Sequence, residues 1–235
     1  MTPASTLDAI SPALADVRAR IEKSEREYAR LPGSVQLLAV SKTHAAAAVQ
    51  RAYEAGQRHF GENYLQEALA KIEQLPADIT WHFIGPIQSN KTRPLAERFD
   101  WVHTVDREKV ARRLDEQRPA DKVPLNVLLQ VNVSGEASKS GASLDELPAL
   151  AAVIGTLPRL RLRGLMAIPA PTADIAKQRA AFRQLADART ALVAAGHASC
   201  TELSMGMSQD MEAAIAEGAT MVRVGTDIFG ARPAK

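Results

Sequence analysis

At 235 residues, with 46% hydrophobic and 24% charged side chains, the chain has the make-up of a globular protein and the length of one α/β barrel. A formal net charge of +2 gives no reason to expect nucleic acid or an acidic membrane surface as partner, and Cys200, the single cysteine, excludes an intramolecular disulfide and argues against a thiolate zinc site. No basic-then-apolar leader opens the chain and no apolar run approaches about 18 residues, so a cytoplasmic protein without a membrane span is expected.

Leu7, Ile10, Leu14, Val17 and Ile21 recur at spacings of three and four, the mark of an amphipathic first helix that Pro32-Gly33 should stop. Leu37-Leu38-Ala39-Val40-Ser41 is a short apolar run of the kind that forms a buried strand, with Lys42 directly behind it. A helix over 45–55, ended by Gly56, comes next, then a very short strand at 58–61. Leu65, Ala68, Leu69, Ile72 and Leu75 share one face of the following helix, which Pro76 closes. The alternation continues with a strand at 79–84, a helix at 89–99 and a strand at 101–105, after which Asp106 should cap a helix reaching Arg118. The longest apolar run, 125–133, reads as a central strand. Ser143 should cap a helix through Ile154 that Gly155 ends, before a strand at 160–168 and a long helix over 174–194. A short strand at 201–203, a helix at 209–217 capped by Ser208 and ended by Gly218, and a last strand at 221–224 complete the series.

About eight short apolar strands therefore alternate with helices behind an extra N-terminal helix. Such strands suit a parallel sheet covered on both faces, and eight similar units favour a closed (β/α)₈ TIM barrel over an open doubly wound sheet. No linker or shift in composition divides the chain, so 1–235 reads as one domain.

In such folds the carboxyl ends of the strands carry the site. An amine at the exit of the first strand is partly desolvated there, so its neutral, nucleophilic form becomes accessible and can form a Schiff base with an aldehyde. On this segment alone, a surface lysine closing a strand is the commoner outcome, since Lys is mostly exposed. The far end of the chain changes that balance. Phosphate groups in barrels commonly sit on the loops after the seventh and eighth strands. There the sequence offers Ser204-Met205-Gly206-Met207-Ser208 and Arg223-Val224-Gly225-Thr226, with glycines for close approach, hydroxyls and a fixed charge. Ordinary tight turns with helix caps would look the same for either loop taken singly. A lysine able to form an imine, facing a phosphate cup across the closing seam, fits pyridoxal 5′-phosphate.

These residues also carry a resemblance. LLAVSKT, HFGENYLQEALAKI, WHFIGPIQSNK, LRGLMAIP, LSMGMSQDMEAAI and VRVGTDIFGAR, spread over about 37 to 232, resemble the pyridoxal phosphate homeostasis proteins, which look like the barrel domain of alanine racemase. The resemblance implies the fold-type III barrel of pyridoxal phosphate proteins, with Lys42 holding the cofactor as a Schiff base. It implies Ser204, Gly225 and Thr226 as phosphate ligands, Arg223 near the phosphate or the pyridine nitrogen, and Asn63 and Met166 in the cofactor pocket. An arginine on the pyridine nitrogen cannot surrender its proton, so the ring would be a poor electron sink. The racemase uses a second-face tyrosine from an additional domain, and this chain stops at Lys235 without one. Tyr28, Tyr53 and Tyr64 all fall in predicted helices. Binding without strong turnover is therefore expected: a monomeric holder, buffer or deliverer of the cofactor, with pyridoxal phosphate-dependent apoenzymes as candidate recipients. A weak amino-acid racemase working with Lys42, or a binder of a plain phosphorylated metabolite, are the alternatives. His44 could line the barrel mouth and His82 lies in a strand, while His59, His103 and His197 show no metal-ligand spacing.

Overall fold

Eight short strands with apolar side chains on both faces can bury both by curling into a ring with helices outside it, and the chain does so. The computed structural model describes residues 7–134 and 140–231. Helix α1 (Ile10–Glu27) is followed by β1 (Gln36–Val40), α2 (Ala46–Glu54), β2 (His59–Glu62), α3 (Leu65–Gln74), β3 (Thr80–Phe83), α4 (Thr92–Arg98), β4 (Trp101–Val105), α5 (Glu108–Gln117) and β5 (Leu125–Gln130). Then come α6 (Leu147–Gly155), β6 (Leu160–Met166), α7 (Ile175–Ala194), β7 (Glu202–Ser204), α8 (Met211–Ala216), β8 (Met221–Val224) and the single turn α9 (Thr226–Phe229). All neighbouring strands pair parallel, and β1 pairs with β8 to close the barrel, Leu38 opposite Arg223 and Ala39 opposite Val224. Helix α1 packs against α2, α8 and α9, filling the slot that a full eighth helix would occupy.

Strand alternation divides the buried residues. Leu37, Ala39, Phe60, Trp81, Phe83, Val102, Leu203, Val222 and Val224 face the helices and join the main core. The opposite face lines the barrel, where Leu38, Val40 and Ile84 form a small apolar cluster. His82, His103, Ser204 and Arg223 are buried on the same inner face.

Several expected boundaries shift. Helix α1 ends before Pro32, where Ala29 takes a left-handed φ of 51° and Arg30 N–H returns to Glu25 O at 2.7 Å. Asp106 does not cap α5; Arg107 takes the N-cap position and ties up the Asp106 carboxylate at 2.6 Å. Ser208 does not cap α8 either, because the helix starts later and Asp210 Oδ1 accepts the Met207 N–H at 2.6 Å. The segment 89–99 splits into a 3₁₀ turn, Ser89–Lys91, and α4. Strand β5 stops at Gln130, beyond which Val131 only bridges to Ala142. Ser143 does cap, through a reciprocal box with Glu146 on the turn that leads into α6. Among the described residues no helix is long and apolar enough to cross a membrane. The last motif residue, Arg232, lies outside the described residues.

Candidate functional site

Lys42 leaves β1 on the phase of Leu38 and Val40, so it belongs to the inner face at the carboxyl end of the barrel. Both its neighbours are held. Ser41 is buried, its hydroxyl donating to Glu62 Oε1 at 2.6 Å, while Lys71 Nζ donates to the same oxygen at 2.6 Å and to the Ser41 carbonyl at 2.8 Å. Burial pushes the Glu62 carboxyl above the ordinary range, with Lys71 and Ser41 drawing it back. Thr43 has a φ of 67°, a left-handed conformation strained for a β-branched residue, and its N–H donates to Glu67 Oε2 at 3.0 Å. Neither Glu62 nor Lys71 is singled out by sequence pattern. The signal available was a lysine on the buried side of α3, where a plain amphipathic helix carries an apolar residue.

The other expected residues stand at or just beyond the carboxyl ends of other strands. Asn63 directly follows β2, and its Oδ1 is buried without a hydrogen-bond partner in the protein. Gly85 presses on its backbone; a Cβ there would stand 2.1 Å from Asn63 O. Met166 ends β6 opposite Ser204, fully buried. Gly225 follows β8 beside the exit of β1, and a Cβ on it would stand 3.1 Å from the Val40 carbonyl, so at Gly225 the loop edge stays bare backbone beside the end of β1. Arg223 sits one inner-facing position below. Its Nη1 donates to Ser204 Oγ and its Nη2 to the Ala167 carbonyl, both at 2.8 Å. Burial lowers this guanidinium to about 10, against the pull of Asp210.

The histidines are arranged as no spacing rule indicated. His59 Nδ1 lies 3.0 Å from His82 Nε2, His82 Nδ1 2.9 Å from His103 Nε2, and His103 Nδ1 2.9 Å from Ser204 Oγ. The nitrogens bond one another in a row instead of converging, and among the described residues no group of three ligating side chains could hold a metal. The legible clue was phase: each of the three alternates with core residues (Phe60, Trp81, Val102), which puts it on the inner face. His44 packs at 5.2 Å from Phe229 of α9, on the mouth side. Tyr28 and Tyr64 lie at helix ends, not inside helices, and Tyr64, directly after Asn63, is half exposed.

Pyridoxal phosphate asks for an amine, an anion-binding loop with bare backbone, a fixed cation and a buried polar group left for a ligand. The mouth supplies these in Lys42, the Gly225–Thr226 edge, Arg223 and the orphaned Asn63 Oδ1, so the residues present fit the group.

The profile of the alanine racemase N-terminal domain family matches residues 14–233. The pyridoxal phosphate homeostasis protein of Pseudomonas aeruginosa is 60% identical over 228 residues, covering 96% of this chain and 97% of its own. That of Escherichia coli K12 is 54% identical over 223 residues, covering 93% and 95%. PipY of Synechococcus elongatus, solved with PLP bound, superposes with a TM-score of 0.82 at 43% identity over 94% of this chain and 100% of its own. Alanine racemase from Corynebacterium glutamicum, at 18% identity and TM-score 0.72, shares the barrel fold across 97% of this chain and 62% of its own.

Proposed function

The chain belongs to the alanine racemase N-terminal domain family and, within it, to the pyridoxal phosphate homeostasis proteins; from that premise we propose that it binds pyridoxal 5′-phosphate and serves intracellular homeostasis of the cofactor by holding, buffering or delivering it. The observation that carries the reading is the β1–β8 seam, whose register sets the exit of β1, with Lys42, beside the Gly225–Thr226 edge. When bound, the cofactor supplies an aldehyde that Lys42 Nζ can hold as a Schiff base. The Gly225 and Thr226 N–H groups would hold its phosphate, Arg223 would contribute a buried positive charge, and Asn63 and Met166 would line the pocket. Ser204 Oγ accepts from Arg223, and with His103 Nδ1 also donating to it, its hydroxyl proton would be available to the phosphate.

The role is that of a carrier acting as a monomeric single barrel domain in the cytoplasm, with pyridoxal phosphate-dependent apoenzymes as recipients. An arginine on the pyridine nitrogen would keep its proton and disfavour turnover, and among the described tyrosines Tyr53 is bound to Asp78 at 2.7 Å and Tyr64 is half exposed, neither fixed as a second base. The test is a visible spectrum of the purified protein with pyridoxal phosphate before and after borohydride, followed by peptide mass mapping. A band that reduction converts to a pyridoxyl adduct on Lys42 supports the reading, and a colourless protein that takes up no cofactor sinks it. D-amino acid formed above a Lys42→Ala control would favour a weak racemase instead.

A further inference from the structure

The barrel interior holds a continuous row of polar groups that cofactor binding alone does not require: Arg223, Ser204, His103, His82 and His59, each within 3.0 Å of the next. The row crosses the barrel. Its inner end lies under the mouth, and His59 lines a cavity of about 570 Å³ at the amino ends of β1 and β2, walled by α1. We propose that His59, His82 and His103 form a proton relay linking Ser204, on the phosphate side of the site, to water in that cavity.

The order of the protons follows from Arg223. A guanidinium only donates, so Ser204 Oγ accepts from it, and in the resting state of the proposed relay the hydroxyl proton goes to His103 Nδ1, 2.9 Å away. Neutral His103 then carries its proton on Nε2 and gives it to His82 Nδ1, and His82 Nε2–H gives to His59 Nδ1. All the rings point their protons one way. Neutrality is set by surroundings: burial holds His82 far below the usual histidine range, helped by His103 and His59, and burial with Arg223 does the same to His103. Trp101 stacks on His82 and adds no charge. His59 is also lowered by burial, with Asp100 opposing, and Glu22, Arg26 and Arg58 share its cavity.

Such a row conducts without turning any ring. A phosphate monoester losing its last acid proton (pKa about 6) beside Arg223 supplies one proton to Ser204 Oγ. Ser204's own proton moves to His103 Nδ1, the His103 Nε2 proton to His82 Nδ1, and the His82 Nε2 proton to His59 Nδ1. His59 releases its Nε2 proton to cavity water. One proton has crossed the barrel, each ring now carries its proton on Nδ1, and the Ser204 hydroxyl is turned to the phosphate.

The source of that proton rests on the pyridoxal phosphate reading, but the relay itself is testable without it. In cofactor-free protein labelled with ¹⁵N at histidine, His82 and His103 should be neutral with protons on Nε2. In His59→Gln, which can accept from His82 but cannot pass a proton on, their ring protons should exchange with solvent about tenfold more slowly; His59→Asn is the second variant. An imidazolium at neutral pH, rings with opposed tautomers, or unchanged exchange in both variants would overturn the relay. Adding pyridoxal phosphate should move both protons to Nδ1 in the wild type. Cofactor uptake with no such movement would overturn the coupling to the site. Failure to take up cofactor would sink the functional reading while the two cofactor-free measurements still decide the relay.

Discussion

Lys71 Nζ stands 2.6 Å from Glu62 Oε1 with both side chains buried, and the same ammonium reaches the Ser41 carbonyl at 2.8 Å. The residue ahead of Lys42 is thus clamped by a helix-borne cation and a strand-borne carboxylate, which fixes where the first strand ends and in which direction the amine leaves it.

Removing one charge should expose the cost of that clamp. Glu62→Gln preserves shape but leaves the Lys71 ammonium buried without its counter-ion, and a broken buried pair typically costs about 3–5 kcal/mol. Urea unfolding should show a loss of that order, and adding Lys71→Met to the same chain should recover part of it. Equal stability of wild type and Glu62→Gln would dismiss the clamp.

The histidine row predicts an acid-sensitive fold. His82 and His103 are held well below their ordinary value chiefly by burial. In the unfolded chain they take up protons near pH 6.5, which the folded chain refuses, so the unfolded state binds more protons below that pH. Their contribution is complete above about 6.5 and is lost as pH falls, with a slope of up to about 1.4 kcal/mol per pH unit for each ring. Unfolding free energies from pH 5 to 8 should be level at the alkaline end and fall on the acid side, with a shallower fall in His82→Asn. A flat profile throughout would contradict the burial of neutral rings.

Much of this architecture is legible in the residues because it rests on periodicity. Apolar runs bounded by glycines and prolines mark strands buried on both faces, and Lys42, Ser204 and Gly225 declare themselves by standing at strand exits. What escaped depends on contacts between distant residues. The His103–Ser204 bond joins positions 101 apart, and Lys71 sits on a helix face otherwise filled by Leu65 and Ala68. The expected caps at Asp106 and Ser208 failed because neighbours took them: Arg107 claimed one carboxylate, and Asp210 bound Met207 ahead of a later helix start. Local propensity names a candidate cap, whereas tertiary competition chooses one.

Gly225→Ala should separate binding from folding. The new Cβ would stand 3.1 Å from the Val40 carbonyl, close enough that β1 must give by a few tenths of an ångström beside Lys42. The stability cost should be about 1–3 kcal/mol. Affinity for pyridoxal phosphate, read by spectral titration, should fall about tenfold, since both the loop edge and the amine move. Unaltered affinity would place the phosphate elsewhere.

Thr43 offers the opposite test, because its conformation is a cost the fold carries next to the amine. A φ of 67° in a β-branched residue is unfavourable by roughly 1–2 kcal/mol, and it is held there by the N–H bond to Glu67. Its hydroxyl is buried without a partner, so the side chain returns little in compensation. Thr43→Gly removes both penalties, while the freer unfolded chain takes back up to about 1 kcal/mol. Stability should therefore stay level or rise in urea unfolding, yet the segment that aims Lys42 becomes looser, and spectral titration should show weaker retention of pyridoxal phosphate. A stable variant with undiminished affinity would show that the strain is incidental to the site. A large loss of stability would show that the Thr43 side chain supports the turn by packing.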